Sequence, residues 1–229
     1  MRTALLALWA CAPLVAQQAK PNPFPSTVRA SAEAVVWAAP DRARIHIGVV
    51  TQAATAQEAG TGNARQLETA LAELRKVLGP GADIKTISYS LSPNHRYPRE
   101  GGPPAIAGYT ATNTVQVTTD DLSAAGKIID TATQGGANTI QSLEFTLKND
   151  RKARAQALGE ATAQARVNAE IMAAAVGMRV VRIVSVEQGE PSRVRPLMAA
   201  PMAMEARVTP VSPGAIEVRA TATLTAAVQ

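Results

Sequence analysis

Apolar and polar residues alternate along several stretches of the chain, which predicts β-strands that bury one face. Arg44–Val49 alternates strictly, with its three branched aliphatic residues on one side. Val28–Ala38 precedes it and has the composition of a second strand. The pair Pro40 and Asp41 lies between the two stretches and favours a turn. The pattern therefore predicts that these two strands form a β-hairpin.

Leucines at helical spacing predict a long helix after the hairpin. A helix over Thr55–Leu78 gathers its leucines into one apolar stripe: Leu67, Leu71, Leu74 and Leu78. Ala59 and Asn63 continue the same face toward the start of the helix. Gly79, followed by proline and glycine, is a typical helix end.

Two further strands are predicted in the middle of the chain. Ile84–Leu91 is the first, and it is followed by Ser92–Pro104, whose proline, glycine and charged residues predict a long loop. Gly108–Val117 alternates again and is rich in β-branched residues. Its even alternation predicts a strand with one buried face.

A short helix is predicted next. Asp120 or Asp121 is placed to cap its N-terminus, and Gly135 and Gly136 can end it in a left-handed conformation. Asp130 lies inside this helix, and we expect its carboxylate to bond the turn that follows.

The turn after this helix contains Ala137 and Asn138. Asn138 leads into the next strand, and its residue type favours a left-handed backbone and a bond to its own main chain. We therefore expect Asn138 to support the turn.

An alanine-rich helix dominates the C-terminal half. After a predicted strand over Thr139–Leu147, the helix runs over Lys148–Val176, with Asn149 or Asp150 as its cap and Gly177 at its end. Alanine recurs every four residues along one side: Ala153, Ala157, Ala161, Ala165 and Ala169. This face favours close packing against a sheet, and a helix-to-helix seam between copies is the alternative.

Two strands complete the predicted order. They cover Met178–Val186 and Gly214–Ala226, and the proline- and methionine-rich segment Glu187–Pro213 between them predicts a long surface loop. The order ββαββαβαββ predicts an α+β fold, with antiparallel sheet or sheets packed against two or three helices.

The N-terminus has the features of a secretory signal peptide. An apolar run over residues 4–16 follows Arg2, and it is shorter than the ~20 residues that span a bilayer. We expect cleavage after Ala16, a proline-rich linker over residues 17–26 and one domain over residues 27–229. Lipidation at Cys11, the only cysteine, is the alternative. Cleavage after Ala16 would leave no cysteine for disulfides or thiolate chemistry.

Charge and aromatic content bear on the partners. The net charge of +5 leans toward the C-terminal half, which could attract an anionic envelope surface. Only 3% of residues are aromatic, so the stacking platforms of nucleic-acid sites are missing and no nucleic-acid partner is expected.

The residues offer few candidates for chemistry. His46 and His95 are the only histidines, and neither stands at ligand spacing from a second histidine or cysteine, so both are expected at the surface. The remaining candidates are three methionines of the long loop, whose thioethers could bind copper(I) or absorb oxidants, or could pack against a neighbouring subunit: Met198, Met202 and Met204. We predict no enzyme and no cofactor.

The ordered motifs resemble the SIMPL domain family, also called DUF541, whose members include bacterial periplasmic immunogenic proteins. The resemblance covers about Val28–Ala226 and rests on a set of structural positions in order: Pro40, Asp41, Gly108, Tyr109, Asn113, Asp130, Gly136, Ala137 and Asn138. It departs from the family in the loop over residues 93–104 and in the methionine-rich segment.

The resemblance implies a non-catalytic, periplasmic or secreted protein linked to envelope or oxidative stress tolerance. It also implies assembly into a homo-oligomer, with other envelope proteins as further partners. A periplasmic carrier of small molecules or lipids, with a pocket between sheet and helices, is the alternative. An enzyme would need polar groups that converge in a cleft.

Overall fold

The computed structural model describes residues 26–79, 82–98, 102–189, 195–196, 209 and 211–229. Within these residues the chain forms two antiparallel sheets and three α-helices. The strands are β1 Thr27–Ala38, β2 Arg42–Ala53, β3 Asp83–Arg96, β4 Ala105–Thr119, β5 Thr139–Thr146, β6 Val180–Gln188, β7 Arg195–Pro196 and β8 Ile216–Val228. The helices are α1 Ala56–Leu78, α2 Ala125–Gln134 and α3 Arg151–Ala175, with a short 3-10 helix over Leu122–Ala124 before α2. The α+β prediction is confirmed.

Sheet 1 has the strand order β1-β8-β6, with the short β7 also paired to β8. Helix α3 packs on β1 and β8 through alanines that are almost fully buried: Ala157, Ala161, Ala165, Ala169 and Ala173. The facing strands also present small residues, such as Ala30 and Ala226, so helix and sheet approach closely. The alanine face is therefore occupied within the chain, and the alternative of a helix-to-helix seam on it is wrong.

Sheet 2 has the strand order β3-β4-β2-β5, and α1 and α2 cover one of its faces. The larger of the cores lies here, where branched side chains of β2 and β4 meet the leucine stripe of α1: Ile45, Ile47, Val49, Val115, Val117, Leu67 and Leu74. Helix α1 begins with a capping box in which Thr55 and Glu58 bond each other's backbone amides.

The predicted β1–β2 hairpin is wrong. β1 pairs along its whole length with β8, and β2 lies between β4 and β5 in the other sheet. Small residues on the buried face of β1 fit the alanine face of α3, whereas the larger residues of β2 match α1 and α2. Alternation predicts each strand, but it carries no information on which strand is the partner.

Two predicted loops are shorter than expected. β3 continues through Pro93 to Arg96, and proline is tolerated there because β3 is an edge strand. In the predicted loop Glu187–Pro213, β6 extends to Gln188 and β7 forms. Residues 190–194, 197–208 and 210, with Met198, Met202 and Met204, lie outside the described residues, as does Cys11.

Candidate functional site

At the turn after α2, the chain comes close to α1, the other helix that covers sheet 2. A Cβ added at Gly135 would lie 2.8 Å from the Cα of Ala70 on α1. Gly136 has φ 109° and accepts a 2.6 Å hydrogen bond from Nε2 of Gln66 through its carbonyl oxygen. Both glycines thus permit close approach to α1, which gives them a structural role.

Asn138 takes the place of a strand residue beside β2. Its Oδ1 accepts from the backbone N–H of Val50 at 2.9 Å, and its Nδ2 donates to the carbonyl oxygen of Val50 at 2.7 Å. The expected bond to its own backbone is therefore replaced by bonds to a neighbouring strand. In the described part of the chain, only glycines have positive φ, so the expected left-handed Asn138 is also wrong. Ala137, just before it, is buried.

The side-chain amide of Asn63 fixes helix α1 to sheet 2. The sequence places Asn63 on the apolar stripe of α1 but predicts no bond for it. Asn63 is fully buried, and its Nδ2 donates to the carbonyl oxygens of Val49 at 2.8 Å and of Ala111 at 3.1 Å. These oxygens belong to neighbouring strands, so one side chain ties α1 to both. The signal was a polar residue at a core position, since buried polar groups need partners.

Three motif residues of β4 lie beside this contact. Gly108 has φ 154°, and a Cβ there would lie 2.8 Å from the carbonyl oxygen of Ala53 on β2. Tyr109 is the register partner of Ala53 and is half-buried. Asn113 is the register partner of Val49, and its Oδ1 is buried without a hydrogen-bond partner. These positions serve the packing of β4.

Asp130 holds a different segment from the one expected. Its carboxylate accepts hydrogen bonds from the Oγ1 of Thr209 at 2.7 Å and from the backbone N–H of Thr209 at 3.3 Å. The predicted bond to the turn after α2 is therefore wrong. Thr209 precedes β8, so Asp130 anchors the approach to the last strand.

A cluster of charges joins the connections between the two sheets. The Oδ1 of Asp41, after Pro40, accepts a 2.6 Å hydrogen bond from the backbone N–H of Lys148. Asp120 accepts from Arg42 Nε and from Lys148 Nζ, both at 2.8 Å. These two bonds lower the pKa of Asp120 to about 2. A carboxylate held as the anion between two cations serves as a structural clamp.

The other acidic caps have local partners. Asp121 caps the 3-10 helix and accepts from the Oγ of Ser123 at 2.6 Å and from the backbone N–H of Ser123 at 3.0 Å, and these bonds lower the pKa of Asp121. Asp150 occupies the N-cap position of α3 without a side-chain cap bond, and Asn149 accepts from the backbone N–H of Arg151 instead.

His46 lies on the outer face of sheet 2 in a row that crosses three strands. Its Nδ1 is 3.0 Å from Ser142 Oγ on β5, and its Nε2 is 3.2 Å from Gln116 Oε1 on β4. A serine hydrogen-bonded to a histidine could act as a nucleophile with its base. Here the third member of the row is a neutral amide, and the serine lies within strand β5. The row is explained by cross-strand hydrogen bonding.

His46 and His95 lie far apart. Their register partners, Gln116 and Ile106, are separated along β4 by about 33 Å at the strand rise per residue. Among the described residues no group of three histidine, cysteine or carboxylate side chains could hold a metal ion.

Two surface depressions bear on the carrier alternative. One, of about 250 Å³, lies beside the start of α3 and is lined in part by Arg151, Arg154 and Arg219. Another, of about 640 Å³, is an open surface along the first turns of α1, lined by polar and small residues. Both are open to solvent, and neither is the enclosed cavity that buries most of a small apolar molecule.

Exposed apolar side chains gather at the end of α3 and along β6. Of the sixteen large hydrophobic side chains that are exposed in the described part of the chain, eight lie between residues 171 and 186. We name them the β6 surface: Ile171, Met172, Val176, Met178, Val181, Ile183, Val184 and Val186. Such concentration marks contact with another molecule more often than free surface.

Within the described part of the chain, no helix has both the length and the apolarity needed to cross a membrane.

Comparison with known proteins gives one family and two relatives. The sequence model of the SIMPL family, described as "Protein of unknown function (DUF541)", matches residues 28–226. The 26 kDa periplasmic immunogenic proteins of Brucella melitensis and Brucella abortus are each 28% identical to the chain over 194 residues. Each alignment covers 83% of this chain and 76% of the relative. The family match thus spans both sheets.

Proposed function

The chain belongs to the SIMPL family, and from that premise we propose that it is a periplasmic, non-enzymatic protein that acts as a homo-oligomeric structural or interaction module. The names of its relatives support the periplasmic location. Neither those names nor the family description assigns an enzymatic activity. We include in the proposal a signal peptide cleaved after Ala16.

The exposed β6 surface is the observation that supports assembly into a homo-oligomer. Its side chains are branched aliphatics and methionines, with exposures that reach 70% at Val176. Burial of apolar area contributes about 25 cal/mol per Å², so leaving this patch in water forgoes a favourable contact. Contact between copies would bury these side chains, which accounts for their exposure on the single chain.

Native mass spectrometry of protein purified from the periplasm tests both parts of the proposal. The protomer mass should correspond to a chain that begins at Gln17, and the assembly mass should be a multiple of it. A protomer that retains residues 1–16 contradicts the cleavage, and a single copy at every concentration contradicts the oligomer.

The link to stress tolerance follows from the resemblance to the family. We propose that a strain lacking the protein loses viability under peroxide or envelope stress. Complementation with the unaltered chain should restore survival. Equal survival of the deleted and complemented strains would remove the stress link while leaving the assembly untouched.

A further inference from the structure

We propose that the β6 surface is the contact between two copies of this chain, with β6 of one copy pairing antiparallel to β6 of the other. The inference rests on the proposed oligomer and names the surface that makes it. Such a contact is isologous, because the same residues are used on both sides of a two-fold axis.

The backbone of β6 offers one side to a partner. In the described residues β8 is the only strand that pairs with it, so β6 forms an edge of sheet 1. An edge strand has a row of N–H and C=O groups that can pair with another chain. A nine-residue strand can therefore extend the sheet into a second copy.

Apart from the two-residue β7, the described chain has four edge strands, and β6 is the most apolar of them. It exposes four large hydrophobic side chains, whereas β3 exposes three and β1 and β5 expose one each. β3 also contains Pro93, which has no N–H to donate to a further strand. Natural edge strands are commonly protected from pairing by charge, proline or short length. β6 has nine residues and no proline, and it exposes more large hydrophobic side chains than the other edge strands.

Two of the exposed valines lie at bulges of β6. Register shifts beside β8 leave Val181 and Val184 without a strand partner, and they are 53% and 46% exposed. Bulges usually blunt an edge by turning it away or by presenting charge. In β6 the bulged residues are valines, and apolar side chains at an edge favour contact with another chain.

The charges of β6 are self-complementary. Arg182 and Glu187 lie on one face of the strand, opposite Ala227 and Thr223, whereas Ile183 and Val186 lie on the other face, opposite Ala226 and Leu224. A two-fold axis perpendicular to the sheet keeps each residue on its own face. The register that places Ile183 opposite Val186 of the second copy therefore also places Arg182 opposite Glu187, twice by symmetry.

The present partner of Glu187 leaves it available for this pairing. Its carboxylate is 3.3 Å from Arg29 in an exposed ion pair. Exposed ion pairs contribute little to stability, so exchange of this pair for one at an interface costs little. Ile171, Met172 and Val176, near the end of α3 and just after it, are also exposed and precede β6 in the chain.

Two matched lysine substitutions test the surface. Val184→Lys places a charge on β6, and Leu91→Lys places one on the β3 edge at a similar exposure, 46% against 40%. Assembly mass is measured by light scattering after size exclusion across a dilution series, with circular dichroism to verify folding. V184K should raise the dissociation constant about tenfold or more, because like charges face each other across the axis, and L91K should leave it unchanged.

A charge exchange provides a second test that does not depend on V184K folding. Arg182→Glu should weaken assembly, and the double variant R182E/E187R should restore it, since the opposite charges then face each other again. No rescue would overturn the register.

The outcomes separate the two proposals. An oligomeric unaltered chain that neither lysine variant affects, or that only L91K dissociates, overturns this inference while the proposed function stands. A monomeric unaltered chain at all concentrations overturns both.

Discussion

Truncation of Asn63 to alanine tests how α1 is fixed on sheet 2. The substitution removes two hydrogen bonds, to Val49 and Ala111 at 2.8 and 3.1 Å, from a fully buried position. Each such bond contributes about 0.5–1.5 kcal/mol net, which gives a loss of roughly 1–3 kcal/mol for the pair. The cavity left by truncation adds to the loss, whereas removal of the unpaired Oδ1 offsets part of it.

We therefore expect N63A to lower the free energy of unfolding by about 2 kcal/mol. The measurement is urea unfolding followed by far-ultraviolet circular dichroism, at one protomer concentration because assembly would stabilise the fold. Thr69→Ala is the matched control, since Thr69 is exposed on the same helix, and we expect it to remain within about 0.5 kcal/mol of the unaltered chain.

Asn63→Asp sharpens the same test without changing the size of the side chain. The substitution places a carboxylate oxygen where Nδ2 donates, against two carbonyl oxygens, so the loss at neutral pH should exceed that of N63A. Protonation of the carboxyl at acid pH restores one donor and should reduce the difference. An N63A variant as stable as T69A, or an N63D variant no less stable than N63A, would refute the role assigned to Asn63.

Three further predictions concern the other contacts. Gly108→Ala should destabilise the fold by about 1–3 kcal/mol in the same urea assay, because the added Cβ meets the Ala53 carbonyl oxygen at 2.8 Å and the backbone is left-handed; a neutral effect would contradict the close approach. Asn138→Ala should cost about 1–3 kcal/mol through two lost bonds to Val50, and increased hydrogen exchange at the Val50 amide should accompany it. The pKa of Asp120 is depressed in the folded state, so its contribution is present above the ordinary value of 3.8 and is lost as pH falls toward about 2. Asp120→Asn should flatten the stability profile in that window, and an unchanged profile would contradict the clamp.

The sequence predicts helices well where residues of one type recur at helical spacing. The leucines of α1 and the alanines of α3 determine the buried side of each helix, and both faces are buried as expected. Helical spacing reports which side chains face inward, and in these two helices nothing competes with that signal.

Strand partners could not be predicted in the same way. β1 and β2 are adjacent in the chain, and a turn pair lies between them, yet they enter different sheets. Pairing is decided by how the size of side chains on each strand fits the helix above it, which depends on residues far along the chain. Asp130 illustrates the same limit, since its partner Thr209 is 79 positions away.

The β6 surface also could not be predicted from the sequence. The sequence predicts a strand that contains Val181, Ile183 and Val186, but its pattern does not indicate that β6 is at an edge. Exposure of a hydrophobic strand becomes visible only when its neighbours are known.

The assembly mass of the unaltered protein tests the central claim most directly. Native mass spectrometry over a dilution series should show a defined multiple of the protomer mass that dissociates at low concentration. A single protomer at every concentration would contradict the claim that this SIMPL-family protein works as an assembled module.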